Sequence, residues 1–306
     1  MKLLEKHIQH YLFYCESQKR LDPKTLKAYR NDLIQFSHMI SENDISEITI
    51  TSLENYIATL HQTYMPKTVK RKIASVKAFF HFLEYKDFIV ANPFNKMQLR
   101  FREPVILPKV IPLPMLEKFL KTIYSSHSIA SGAYRRKKTL QDIAIIELLF
   151  STGIRISELC TLRSSDVNLL DNTILIYGKG AKQRRLQIAN DDVIDILTRY
   201  YDSYREEIRN SNYFFVSRYG TPVSDQSIRR MIKKYAASAG IEMNITPHMF
   251  RHTFATSLLE SDVDIRYIQE MLGHSSINIT EIYTHVTTSK QKDILKNKHP
   301  RKDFSI

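Results

Sequence analysis

Three short stretches hold most of the side chains in this 306-residue chain that could do chemistry together. Thr152-Gly153-Ile154-Arg155-Ile156-Ser157-Glu158-Leu159 places an arginine at the first turn after a glycine, with an acid three residues on. Pro247-His248-Met249-Phe250-Arg251-His252 puts His248 and Arg251 three residues apart, neighbours on one helix face. Leu272-Gly273-His274 and Ile282-Tyr283-Thr284-His285 set a histidine and a tyrosine nine residues apart. By type these groups suit work on an oxyanion. Guanidinium is a permanently charged planar fork, imidazole exchanges protons near neutrality, and a phenol is a possible nucleophile. Alone, each has a plainer explanation, since helix-start arginines are ordinarily at the surface and helical tyrosines ordinarily in a core. His248 and His252 also have the i, i+4 spacing of a zinc pair. Met249 stands where a metalloprotease needs glutamate, and Arg251 between them repels a cation, so no metal site is expected.

Composition narrows the partner. Lysine and arginine total 45 against 32 acids, a formal charge of +13, which favours a polyanion, nucleic acid before an anionic membrane surface. Residues 1–112 carry 17 basic and 11 acidic groups, so both parts of the chain are basic. That suits a ligand held between two domains better than a single basic tail. The longest apolar stretch, Ile143–Phe150, is broken by Glu147 and falls far short of the roughly 20 residues of a membrane span. The N-terminus, MKLLEKHIQHY, has charges where a signal peptide needs an apolar centre, so a cytoplasmic location is expected. Cys15 and Cys160 cannot make a disulfide framework. None of the seven glycines forms a nucleotide-phosphate cradle, and no cofactor is expected.

The elements that must position these groups follow from spacing. Leu4, Ile8, Tyr11, Leu12 and Cys15 recur at helical intervals, as do Leu26, Tyr29, Leu33 and Phe36 after an Asp22-Pro23 start. Leu53, Tyr56, Ile57 and Leu60 define a third helix, and Val69, Ile73, Val76, Phe79, Phe80 and Leu83 a fourth opening at Pro66. The spacing predicts a helical bundle over 1–97. Its fourth helix carries Lys67, Lys70, Arg71, Lys72 and Lys77, either a solvated face or a surface laid on phosphates; the total charge favours the second. Residues 98–113 are proline-rich without helical period and read as a semi-rigid linker. A domain over 114–306 then begins with helices around Leu116–Leu120 and Ile143–Phe150, separated by a polar, flexible stretch at 125–138. Two β-branched runs around Gly178-Lys179-Gly180 signal a hairpin. Helices are predicted over 191–208, 224–239, 247–260 and 264–272. The fold class is mainly α with a small antiparallel sheet.

TGIRISEL, GKGAKQR, PHMFRHTFAT and LGHSSINITEIYTH, in this order over about 130 residues, resemble the tyrosine recombinase (phage integrase) family, and within it the compact Xer-like bacterial members. The resemblance extends to the N-terminal bundle, which is similar to that family's SAM-like core-binding domain, and to the proline linker. It implies an α-rich catalytic domain in which Arg155 and Arg251 neutralise charge growing on the nonbridging phosphate oxygens. Tyr283 is then the nucleophile, giving a 3′-phosphotyrosyl link and a free 5′-hydroxyl. A covalent intermediate conserves the bond, so the strand can be rejoined without ATP. Lys179 at the hairpin tip corresponds to the lysine that protonates the leaving oxygen, with Lys182 on the same loop as the alternative. His248 accepts the tyrosine proton or positions the phosphate, His274 contacts a nonbridging oxygen, and Glu158 supports the Arg155 face without acting on substrate.

The resemblance further implies double-stranded DNA with short inverted-repeat sites as partner. The active form is a homotetramer, or a heterotetramer with a related recombinase. DNA contacts are expected from the fourth helix and from Arg229, Arg230, Lys233 and Lys234, and the C-terminal tail is expected to dock on a neighbouring protomer. Chromosome-dimer resolution and integration or excision of a mobile element both suit such a chain. A catalytically silent DNA-binding regulator on the same fold and a type IB topoisomerase are the alternative functions.

Overall fold

In a computed structural model the described residues are 3–99, 109–178, 183–261, 263–273 and 294–304. The chain divides into two units, Met1–Ile106 and Leu107–Ile306, a division that falls inside the stretch expected as linker.

The first unit holds α1 (Leu3–Ser17), α2 (Pro23–Met39), α3 (Ile50–Thr63) and α4 (Pro66–Tyr85). Asp22 caps α2 by accepting from the Lys24 N–H, with Pro23 at the first helical position, where no N–H is needed. Thr49 and Ser52 form a reciprocal cap on α3. The apolar faces bury Leu33, Phe36, Leu53, Leu60, Phe79, Phe80 and Leu83 completely. One expected surface cation is not at the surface. Lys72 is buried, its Nζ donating to Asp32 Oδ1 at 3.1 Å and also bonding Gln35. Asp32, itself buried, accepts from Ser75 Oγ at 2.8 Å and pairs with Arg71. A buried carboxylate between α2 and α4 needs cationic partners, and it draws Lys72 inward. The exposed basic groups of α4 are therefore Lys67, Lys70, Arg71 and Lys77.

The second unit comprises α5 (Leu113–Ser128), α6 (Ala133–Thr152), α7 (Ile156–Cys160), β1 (Val167–Asn168), β2 (Thr173–Tyr177), β3 (Gln183–Gln187), α8 (Asp191–Ser203), α9 (Arg205–Ser211), α10 (Asp225–Ser238), α11 (Pro247–Glu260) and α12 (Ile265–Leu272). Every residue of α6 from Leu140 to Thr152 is buried, which makes it the central helix around which the rest pack. The three strands pair antiparallel in the order β1-β2-β3, with Ile174 opposite Leu186 and Ile176 opposite Arg184. Mainly α with a small antiparallel sheet is thus the observed fold class, and β1 adds a strand the sequence did not signal.

Two expected elements differ. The stretch 125–138 is not a flexible segment but the end of α5, a short turn and the start of α6. His127 Nδ1 and Thr139 Oγ1 meet at 2.7 Å, Arg136 Nε donates to the Ala130 carbonyl at 3.0 Å, and Lys138 reaches Asp142 at 2.7 Å. These polar side chains bond locally, though residues 131–136 stay exposed. The single helix expected over 191–208 is two, parted at Tyr204, whose ring lies tilted against Tyr200 at 4.7 Å and which caps the break.

The described part of the C-terminal tail, 294–304, lies on its own unit. Arg301 Nε donates to both oxygens of the fully buried Glu147 on α6 at 3.1 Å, and Tyr124 Oη donates to the same carboxylate at 2.8 Å. His299 Nε2 donates to the Phe150 carbonyl at 2.9 Å while its Nδ1 accepts from the Arg301 N–H at 3.0 Å. Within the single chain these residues dock on their own unit; docking on a neighbouring protomer, which needs a second copy, is not tested by it.

Candidate active site

The site is built where two helices end. Gly153 closes α6 in the left-handed conformation, φ 61°, and Gly273 closes α12 likewise, φ 65°. The last carbonyls of a helix have no partner within it and sit at the negative end of its dipole. Here guanidinium groups satisfy them. Three successive carbonyls at the end of α12 accept from three arginines: Met271 from Arg184 Nε at 2.9 Å, Leu272 from Arg251 Nη2 at 2.6 Å, and Gly273 from Arg155 Nη2 at 3.3 Å. At the end of α6, the Gly153 carbonyl accepts from Arg251 Nη1 at 2.8 Å.

Gly153 is required twice. Besides its positive φ, a Cβ there would lie 2.6 Å from Phe254 Cδ1 and 2.8 Å from Leu272 Cδ2. Gly153→Ala is expected to cost about 2–4 kcal/mol from backbone strain plus overpacking; a urea melt within 0.5 kcal/mol or so of wild type would contradict this account.

Arg155 is the residue before α7, and Glu158 closes back on it, accepting from the Arg155 N–H at 2.9 Å and from Nη1 at 2.8 Å. Arg184 grips the other side of Glu158 with both terminal nitrogens, at 2.9 and 2.7 Å. Burial alone would raise the Glu158 carboxyl, but the bonds from Arg184 and then Arg155 hold it below the ordinary range, so it is ionised at neutral pH. Arg251, 5% exposed, is pushed down to about 9 by burial first and then by the Arg155 charge, which still leaves it a cation at pH 7. Three guanidinium groups against one carboxylate leave the pocket strongly positive.

His248 is exposed in the first turn of α11. Partial burial lowers its pKa, and Arg229, Arg251 and Arg155 lower it further. It is therefore a neutral imidazole at pH 7, able to accept a proton. His252 is lowered for the same reasons, burial first.

The structure thus brings Arg155, Glu158 and Arg251 into one cluster with His248 beside it. Lys179, with its alternative Lys182, and His274 and Tyr283 lie outside the described residues. Arg229, Arg230, Lys233 and Lys234 are exposed on α10. Arg184 is the group that sequence reasoning missed. Its signal was strand alternation: Arg184 shares a face of β3 with buried Leu186, and an inward arginine implies a buried anion.

The architecture defines an integrase-type fold. In fold the chain is similar to a crystal structure of lambda integrase residues 75–356 bound as a dimer to a COC′ core site (TM-score 0.69, 17% identity, 94% of this chain and 100% of that one). It is similar also to XerH site-specific recombinase bound to difH substrate (TM-score 0.67, 22% identity, 98% and 82%). By sequence, residues 118–290 match the phage integrase family and residues 8–86 its N-terminal SAM-like domain. A tyrosine recombinase of Agathobacter rectalis is 65% identical over 304 residues, 99% of each chain, and tyrosine recombinase XerC of Listeria welshimeri is 34% identical over 96% of this chain and 97% of its own. The chain belongs to the phage integrase family, the tyrosine recombinases, and is an enzyme of that class.

Proposed function

We propose that this protein is a site-specific recombinase that cleaves and rejoins DNA strands through a covalent link to Tyr283. The observation that carries the reading is the convergence of Arg155 and Arg251, from motifs almost a hundred residues apart, on one positive pocket framed by the ends of α6 and α12. Such a pocket suits a phosphodiester whose nonbridging oxygens gain charge during in-line attack. The Tyr283 oxygen forms the bond to phosphorus, the bond to the 5′-oxygen breaks, His248 takes the phenolic proton and Lys179 supplies one to the leaving oxygen. His274 donates to a nonbridging oxygen. The reverse step, with a 5′-hydroxyl from another strand, restores the diester.

The partner is duplex DNA with short inverted-repeat sites, held through the basic groups of α4 and α10 and acted on by a tetramer, homomeric or with a related recombinase. The relatives support this: a lambda integrase tetramer is described on a Holliday junction, and XerH on its difH site. No described helix is long and apolar enough to cross a membrane, which suits action on cytoplasmic DNA.

The test is a suicide duplex nicked beside the cleavage position. Wild type is expected to give an adduct that survives denaturant, and Tyr283→Phe to give none while its gel shift stays within about twofold. A wild-type shift without adduct on any site would point to a regulator; relaxation of supercoils regardless of site would point to a topoisomerase.

A further inference from the structure

Arg184 is absent from the roles just proposed, yet it is the most fully engaged of the three arginines. It is one-tenth exposed, against about a third for Arg155. One terminal nitrogen goes to each oxygen of Glu158, Nε goes to the Met271 carbonyl, and its Nη1 and side-chain carbon pack where Gly273 leaves room. Arg155 meets the same carboxylate with one side-chain nitrogen and reaches the Gly273 carbonyl at 3.3 Å.

Two guanidinium groups thus compete for one buried carboxylate, and the geometry ranks them. A bidentate fork in a site shielded from water is the stronger contact. If Arg184 were missing, Glu158 would have Arg155 as its sole cation, and the two charges would largely cancel. With Arg184 in place, two guanidinium groups share the one carboxylate and Arg251 stands beside them, so the cluster carries more positive charge than Glu158 can cancel. We infer that Arg184 is a positioning residue for strand cleavage: it absorbs the charge of Glu158 so that Arg155 can give its own to the phosphate. It also ties β3, which follows Lys179 in sequence, to the end of α12, which precedes His274. This inference rests on the proposed recombinase reading.

The experiment measures single-turnover adduct formation on the nicked duplex, with gel shift and thermal melt for every variant, below the melting point of all of them. Arg184→Gln is expected to slow adduct formation about a hundredfold with single-site affinity within about threefold. Adding Glu158→Gln to it removes the carboxylate that would otherwise cancel the Arg155 charge and is expected to recover at least about tenfold of the rate. Arg184→Lys keeps the charge without the fork and is expected to fall between wild type and Arg184→Gln. A merely structural role would make Lys no better than Gln and leave the double variant no faster than the single. Either result, or an Arg184→Gln rate equal to wild type, overturns the inference. Should Arg184→Gln fail to fold, Arg184→Lys decides: a rate within about tenfold of wild type supports the charge argument, and a larger loss at unchanged melting point overturns it. The wild-type adduct separates the two readings, since its absence defeats the recombinase proposal itself, whereas its presence with an indifferent Arg184 defeats only this one.

Discussion

Arg251→Lys is expected to lower adduct formation on the suicide duplex by about a thousandfold while leaving the gel shift within a few-fold. The charge survives the change, so the loss must come from geometry. Arg251 spans two helix ends, with Nη1 on the Gly153 carbonyl and Nη2 on the Leu272 carbonyl. The remaining N–H groups of a planar guanidinium held at those two points are fixed in direction. An ammonium group is a point charge on a flexible stem and cannot satisfy both carbonyls and a phosphate oxygen in the same orientation. Burial adds to the effect. A donor fixed in advance in a site shielded from water stabilises developing charge with no reorganisation at the moment of reaction. Single-turnover kinetics on preassembled complexes reads the prediction; a loss below about tenfold would mean that charge alone suffices and that the helix-end frame is incidental.

The second large effect concerns stability. Arg301→Ala is expected to destabilise the second unit by about 3–5 kcal/mol, because it strands Glu147, fully buried on the central helix, without a cation. Burial already raises the Glu147 carboxyl despite the opposing influence of Arg301 and of the Tyr124 hydroxyl. Without Arg301 the carboxyl is pushed up further. Glu147→Gln in the Arg301→Ala background should accordingly return much of the loss in a chemical melt, because it removes the stranded carboxylate. Removal of everything from Ser289 onward also removes Arg301, and is expected to weaken the fold to a similar degree. An assembly defect in such a truncation therefore has to be separated from simple unfolding.

The neighbouring His299 gives the same segment a pH dependence. Its neutral form uses both ring nitrogens, Nε2 as donor to Phe150 and Nδ1 as acceptor from the Arg301 N–H. Adding a proton would set two donors against each other. Burial is the main reason its pKa falls from 6.5 to about 4. The unfolded chain then binds a proton that the folded chain refuses, so this contribution is complete above about pH 6.5 and is lost as pH falls towards 4. Thermal melts of wild type should decline through that window, and His299→Phe should flatten the decline.

Much of this molecule could be read along the chain. Helical spacing of Leu4 to Cys15 and of Val69 to Leu83, the Asp22-Pro23 start and the β-branched runs around Gly178 are local signals, and each is expressed locally as a helix, a cap or a strand. Arg155, Glu158, His248 and Arg251 were legible because motif order is itself a linear property. The polar text at 125–138 misled because composition reports affinity for water and not the short-range bonds, such as His127 to Thr139, that two helix ends can offer each other.

What a chain cannot announce is which charges end up sharing one interior. Lys72 looks like any other cation of α4 until Asp32 on α2 faces it, and Arg301 looks like tail until Glu147 on α6 receives it. Arg184 becomes part of the site only when the ends of α12 and β3 and the start of α7 meet. Sequence alone determined most of the helices, the family and the chemical types available. Tertiary structure alone decided which cations share a carboxylate and which converge without one, because charge pairing depends on distance through space and on exclusion of water, and neither is encoded at any single position.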